Sequence, residues 1–251
     1  MQYTHKKQLG QHFLKDEQII RQIVAYLGEH NYSQLAEVGP GAGALTKHLL
    51  KLPGIDFRAI ELDEEKVQYL LHTYPALQGK LIHQDILKTA VPFDGSFTVI
   101  GNFPYNISSQ ILFRILEWKE QVPVMIGMFQ KEVAERVVSK HGSKVYGILS
   151  VLIQTFYDTE YLLEIGENAF TPPPKVKSAV IRLTRKTHTS PIRSEKHLFT
   201  LVKLAFNQRR KMLRNAVKPV FDDTVLQDEI FNKRAEQLSI DDFAALTFKM
   251  R

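Results

Sequence analysis

Leu35-Ala36-Glu37-Val38-Gly39-Pro40-Gly41-Ala42-Gly43 is the stretch that decides the fold. A short apolar run with the length of a buried strand stops abruptly in three glycines spaced two residues apart. Glycines at such a place let the chain turn sharply and let bare backbone approach a flat ligand. A helix around Leu45 to Leu50 follows. Working outward, the alternation repeats. Ile55 to Ile60 runs into Glu61 and then a helix from about Asp63 to Leu71, and Leu81–Ile82 runs into Asp85. Phe97 to Ile100 runs into Asn102, followed by a helix from Ser108 to Trp118 with Ile111, Leu112, Ile115 and Leu116 on one face. Val122 to Phe129 precedes a polar helix over Lys131 to Ser139. Upstream of the turn, Ile19, Ile20, Ile23, Val24 and Leu27 form the apolar stripe of a helix from Asp16 to His30.

Strands alternating with helices predict an α/β fold with a mostly parallel sheet covered by helices on both faces. Ligands of such sheets bind at the carboxyl ends of the strands, where Glu61, Asp85 and Asn102 lie. Further on, Ile148 to Tyr157 and Val180 to Leu183 read as strands, separated by the extended crossing that Pro172-Pro173-Pro174 imposes. After Arg185 to Ser194 the pattern is helical, with Leu198, Val202 and Ala205 four and three residues apart. The expected organisation is a sheet domain over residues 1–188 and a small all-α domain over 189–251.

The 251 residues are 44% hydrophobic and 24% charged, ordinary for a globular protein. With no cysteine, disulfide scaffolds, thiolate zinc sites, iron–sulfur clusters and cysteine nucleophiles are excluded. Met1 to Lys7 is polar and basic with no apolar segment behind it, and the best apolar run is the eight residues Val122 to Phe129. A signal peptide and a membrane span are therefore not expected, and a cytoplasmic location is. Charge is unevenly spread. Residues 1–170 hold 16 Lys and Arg against 19 acids, while residues 171–219 hold 13 against Glu195 alone. Such a basic block in an otherwise balanced chain points to a polyanion, usually nucleic acid, against the alternative of a solvated basic face.

The glycine turn alone is ambiguous. Gly39, Gly41 and Ala44 also satisfy a loose dinucleotide pattern, and Glu61 stands 22 residues after Gly39, where a ribose-binding acid belongs. The region therefore implies an adenosyl ligand without deciding which. Asp85 supplies a further acceptor suited to an adenine amino group, or else is a surface loop acid or a helix cap. Asn102-Phe103-Pro104-Tyr105 is more specific. An exocyclic adenine amine is a poor nucleophile because its lone pair is delocalised into the ring. An Asn102 amide oxygen and a backbone carbonyl of Phe103 or Pro104 could accept its two hydrogens, draw the nitrogen towards tetrahedral geometry and free the lone pair for in-line attack on a methyl group. Pro104 fixes the turn, and Tyr105 offers a ring for a base unstacked from its strand. Positioning and electrostatics would carry such a reaction, with no metal required.

Taken together these segments resemble the ribosomal RNA adenine dimethyltransferases of the small subunit. The resemblance is carried by Lys6-Lys7-Gln8-Leu9-Gly10-Gln11-His12-Phe13-Leu14, by Glu37 to Thr46, by Glu61, Asp85 and Asn102 to Tyr105, by Phe170 to Val180, and by Phe206-Asn207-Gln208-Arg209-Arg210-Lys211-Met212-Leu213-Arg214-Asn215. It covers nearly the whole chain. It implies a Rossmann-like class I methyltransferase sheet that uses S-adenosylmethionine to dimethylate two adjacent adenines near the 3′ end of small-subunit RNA during subunit maturation. By the same resemblance Gln11, His12, Leu14, Gly39, Gly41, Glu61, Asp85 and Asn102 contact the cofactor, Glu61 at the ribose hydroxyls and Asp85 at the adenine amine. Tyr105 and Phe170 sandwich the flipped base, and Lys175, Lys177, Arg209, Arg210, Lys211 and Arg214 lie on RNA phosphate. The implied partner is an immature small ribosomal subunit met by a monomer, with neither membrane nor metal. The chain has His12 where Asn is usual and Phe103 where Leu is commoner. Three alternatives remain: a large-subunit adenine methylase conferring antibiotic resistance, a protein acting mainly in ribosome assembly, and an NAD dehydrogenase, which explains neither the tetrad nor the basic block.

Overall fold

The computed structural model of the chain describes residues 12–251. In chain order the regular elements are β1 (Phe13–Leu14), α1 (Glu17–Ala25), β2 (Gln34–Val38), α2 (Thr46–Leu49), β3 (Asp56–Glu61), α3 (Glu64–Thr73), β4 (Leu81–His83), β5 (Thr98–Asn102), α4 (Ser108–Glu117), β6 (Val124–Gln130), α5 (Lys131–Val138), α6 (Ile148–Phe156), β7 (Tyr157–Ile165), β8 (Phe170–Thr171), β9 (Ser178–Arg185), α7 (Glu195–Asn207), α8 (Leu213–Val217) and α9 (Ile240–Thr247). Helix starts obey local chemistry. Asp16 accepts from the amides of Gln18 and Ile19 at α1, and Asp63 accepts from that of Glu65 at α3. Ile20 and Ile23 form the buried side of α1.

Seven strands form one sheet in the order β4-β3-β2-β5-β6-β9-β7. β4, β3, β2, β5 and β6 are parallel neighbours, and β9 returns antiparallel along β6. The parallel strands are buried along most of their length, as a sheet covered on both faces requires. From β2 the chain builds outward through β3 and β4, then crosses back to place β5 on the other side of β2. That reversal opens a crevice beyond the carboxyl ends of β2 and β5.

Two compact units are formed, one from the residues up to Ala134 with Glu160–Arg185, the other from Glu135–Thr159 with Lys186–Arg251. The third crossing, Arg185 to Lys186, lies close to the boundary read from sequence at 188/189, but residues 135–159 group with the helical unit. Within that stretch one expectation fails. Of Ile148 to Tyr157, read as a strand, all but Tyr157 is helix α6. A short, mostly apolar run has too little periodicity to separate the two states, and its three polar residues, Ser150, Gln154 and Thr155, make the local bonds of the helix. The Ser150 hydroxyl accepts from the Gly147 amide, Thr155 bonds back to the Val151 carbonyl, and the Gln154 amide reaches the carbonyls of Val137 and Ser139. The strand begins at Tyr157 instead, and β7 lies at the sheet edge, where its acids Asp158, Glu160 and Glu164 are exposed. Among the described residues no helix is long and apolar enough to cross a membrane.

Candidate active site

A cleft of about 180 Å³ lies at the switch point. Its lining includes His12, Phe13 and Leu14, the glycine turn, Glu61, Asp85 and the tetrad from Asn102 to Tyr105. Residues scattered along the sequence thus meet in one place because each ends or follows a strand of the same sheet. Gln11 lies outside the described residues.

The glycine turn is shaped to admit a ligand. Gly39 and Gly41 have φ of 70° and 56°, the left-handed region that side chains rarely adopt. A Cβ on Gly41 would stand 3.0 Å from the Phe13 ring. Glu61, 8% exposed, accepts from three backbone amides: Leu62 (2.9 Å) and Asp63 (3.0 Å) on Oε1, and Gly41 (3.1 Å) on Oε2. Burial raises its pKa and these amides oppose the rise. Since a carboxylate has about four acceptor sites, Oε2 keeps one for a hydroxyl. Asp85 uses Oδ1 to accept from the Leu87 amide at 2.9 Å, so it caps its own loop while lining the cleft.

Asn102 is oriented without ambiguity. Its side chain is 3.0 Å from the His12 carbonyl, which only accepts, so Nδ2 donates there and Oδ1 is the acceptor left over. The Pro104 carbonyl already accepts from the Ser108 hydroxyl (3.1 Å) and the Ile107 amide (3.2 Å). Tyr105 bonds through its hydroxyl to Ser178, stacks on His12 with ring centroids 5.3 Å apart, and has its pKa raised by burial. Phe103 is buried against Phe129, over Gly101 and Gly127, which pair across β5 and β6. Any Cβ on those two glycines would fall 2.6 Å and 2.3 Å from the Phe103 ring, so a double glycine makes room for the larger filler.

Phe170 does not line the cleft. It is 1% exposed, packed in the core, with its backbone paired to Leu14 in the β1–β8 ribbon. Of the six basic residues, Lys175, Arg210 and Lys211 are exposed. Lys177 is exposed but pairs with Glu164 at 2.6 Å, and that carboxylate is held down to about 2 by Lys131 and Lys177. Arg209 turns inward to the carbonyls of Ser143 and Lys144 and lies 3.6 Å from Glu236. Arg214 is bonded to Asn232.

Sequence reasoning gave no role to Glu37 or Ser178. Glu37 lies 1% exposed beneath the glycine turn, accepts from the Thr46 hydroxyl at 2.7 Å, and is pushed up to about 8, mainly by burial. An acid inside an otherwise apolar strand was the available signal. Nothing local marks Ser178 as the partner of Tyr105.

The model of the family described as ribosomal RNA adenine dimethylase matches residues 2–248. The chain belongs to this family. It is accordingly a ribosomal RNA adenine methyltransferase. Among its relatives, proteins named ribosomal RNA small subunit methyltransferase A are 55% identical in Flavobacterium johnsoniae, over 98% of this chain and 95% of the relative, and 50% identical in Cytophaga hutchinsonii, over 96% and 95%. Solved structures give the fold. A dimethyladenosine transferase from Plasmodium falciparum superposes with a TM-score of 0.73 at 24% identity, covering 92% of this chain and 94% of that one. The 23S rRNA methyltransferase ErmE gives 0.69 at 22% identity, covering 93% and 99%. The family sheet is thus the Rossmann-like class I methyltransferase sheet, here accompanied by a C-terminal helical segment.

Proposed function

We propose that this family member dimethylates the exocyclic amines of two adjacent adenines near the 3′ end of small-subunit ribosomal RNA, using S-adenosylmethionine, during small-subunit maturation in the cytoplasm. The observation that carries the reading is Asn102, fixed at the carboxyl end of β5 in the same cleft as the glycine turn, its amide oxygen without a partner among the described residues. The donor set suits S-adenosylmethionine. Gly39 and Gly41 leave space that any Cβ would reduce, Glu61 Oε2 has a site for a ribose hydroxyl, and Asp85 lines the far side for the adenine amine. His12 and Leu14 close the cleft from the N-terminal segment. Bound there, S-adenosylmethionine supplies an electrophilic methyl group.

The chain's own residues prepare the nucleophile. Asn102 Oδ1 accepts one hydrogen of the target amine. The Phe103 carbonyl accepts the other, because that of Pro104 already accepts from the Ile107 amide and shares the Ser108 hydroxyl hydrogen with the Tyr105 carbonyl. Tyr105, held by Ser178, presents a ring to the unstacked base. Lys175, Lys177, Arg210 and Lys211 offer charge to RNA phosphate, while Arg209 and Arg214 shape the loop that carries Arg210 and Lys211. The protein acts as a monomer on this reading.

The test incubates purified protein and labelled S-adenosylmethionine with unmethylated small subunits, and with large subunits in parallel, then identifies the nucleosides by mass spectrometry. Dimethyladenine in small-subunit RNA alone is the expected result. Modification of the large subunit would assign the protein to the resistance methylases, and subunit binding without methylation would make it an assembly factor.

A further inference from the structure

Burying a hydroxyl costs free energy unless it finds a partner. Ser178, 0% exposed at the start of β9, finds one in the hydroxyl of Tyr105. The contact spans the rim of the sheet. Tyr105 follows β5, whereas Ser178 stands on β9, two strands away in the order β5-β6-β9. β9 runs antiparallel to β6, so its first residue, not its last, reaches the rim where β5 and β6 end. There Ser178 pairs with Gln130, the last residue of β6, and the Lys131 amide donates to the Lys177 carbonyl at 2.9 Å. The serine therefore sits on a firm corner.

Tyr105 is held at both ends. Its backbone is fixed by the proline ring before it and by the Ser108 hydroxyl, 3.1 Å from the carbonyls of Pro104 and Tyr105. Those contacts leave the side chain free to swing about its Cα–Cβ bond. Ser178 holds the far tip. Burial raises the pKa of the phenol, so the hydroxyl pair persists through the neutral range. A strand start has no need of a buried hydroxyl. What the hydroxyl adds is a fixed angle for the ring.

Resting on the adenine methylation proposed above, we propose that Ser178 is a positioning residue for methyl transfer. Its hydroxyl sets the Tyr105 ring at the angle from which a stacked base brings its amine to Asn102 Oδ1 and the Phe103 carbonyl. Ser178 does not line the cofactor cleft and acts through Tyr105 alone. The lever is geometric: a misplacement of about 1 Å can cost on the order of a hundredfold in rate. Binding depends on it far less, because the phosphate contacts and the cofactor cleft are untouched.

The test compares full-length wild type, Ser178→Ala, Tyr105→Phe and the double variant on unmethylated small subunits. It reads the single-turnover rate of methyl transfer, subunit affinity and, by direct titration, S-adenosylmethionine affinity. Ser178→Ala should slow transfer about tenfold, with both affinities within about threefold of wild type. Tyr105→Phe keeps the stacking ring and should show the same loss. The double variant should be no slower than either single one, because both remove one bond. An unchanged transfer rate in Ser178→Ala would overturn the proposal. Losses that multiply in the double variant would overturn it as well, since the two hydroxyls would then act separately. So would weakened subunit binding at an unchanged transfer rate, which would make Ser178 a binding contact. Wild type that makes no dimethyladenine refutes the reaction itself and this role with it, whereas active wild type with an indifferent Ser178→Ala refutes the role alone.

Discussion

Glu37→Gln should make the protein's stability less sensitive to pH. Glu37 is fully enclosed beneath the glycine turn, and its carboxyl is pushed from the ordinary 4.5 up to about 8, chiefly by burial, against the opposing hydrogen bond from Thr46. Between these two values the folded protein binds a proton that the unfolded chain has already released. Stability is therefore fully present below the unfolded value and declines as pH rises through the folded one. Integrated from about pH 5.5 to about pH 8, the loss amounts to ~3 kcal/mol, an order-of-magnitude figure built on ~1.4 kcal/mol per pH unit. Glutamine has the shape of the protonated acid, can accept from Thr46 and does not titrate, so the variant should lack this decline. Glu61, also raised by burial, is present in both proteins, and since its charge helps to raise Glu37, the difference between their profiles reports Glu37 together with its coupling to Glu61. Denaturant unfolding of both proteins at the two pH values measures it. Parallel profiles would refute the claim that Glu37 is protonated in the folded protein at neutral pH.

Asn102→Ala should lower methyl transfer by about a hundredfold or more while subunit affinity changes little, and transfer preserved with binding lost would contradict the role of its amide oxygen. Arg210→Ala and Lys211→Ala should each reduce the slope of log affinity against log salt by about 1. Arg209→Ala should instead lower unfolding stability by ~1–3 kcal/mol, because the Ser143 and Lys144 carbonyls lose a charged donor; an equal drop in salt slope for Arg209 would show that it reaches RNA. Gly127→Ala should displace Phe103, whose ring leaves only 2.3 Å for the added Cβ, and reduce kcat; adding Phe103→Leu should recover part of the loss, and no recovery would mean that the strain lies with Phe129 or Met125.

Much of the fold was legible because its signals are local. Strand length, helix stripe and glycine turn recur in order, and a strand's end can be read without knowing its neighbours. The same rule placed Glu61, Asp85 and Asn102 at one rim before any pairing was known, since parallel strands share their carboxyl edge. The failures are equally physical. In α6 a mostly apolar run gives no clear period, and the hydroxyls of Ser150 and Thr155 and the amide of Gln154 within it make the bonds that go with the helix. In β7 the interspersed acids hid a strand whose exposed positions at the sheet edge accept charge.

The sequence by itself determined the sheet, the adenosyl-binding turn and the tetrad with its chemistry, because each depends on residues adjacent in the chain. The tertiary structure decided which of those groups are free to act. Asn102 has its amide nitrogen committed to a residue 90 positions away, and the His12 ring is held by a carbonyl 160 positions away. Phe170 is withdrawn into the core, and Arg209 is turned inward by a loop more than sixty residues earlier. A side chain's type states what bonds it can make, but a lone pair already taken, or a ring already covered, depends on the long-range contacts that only folding brings together.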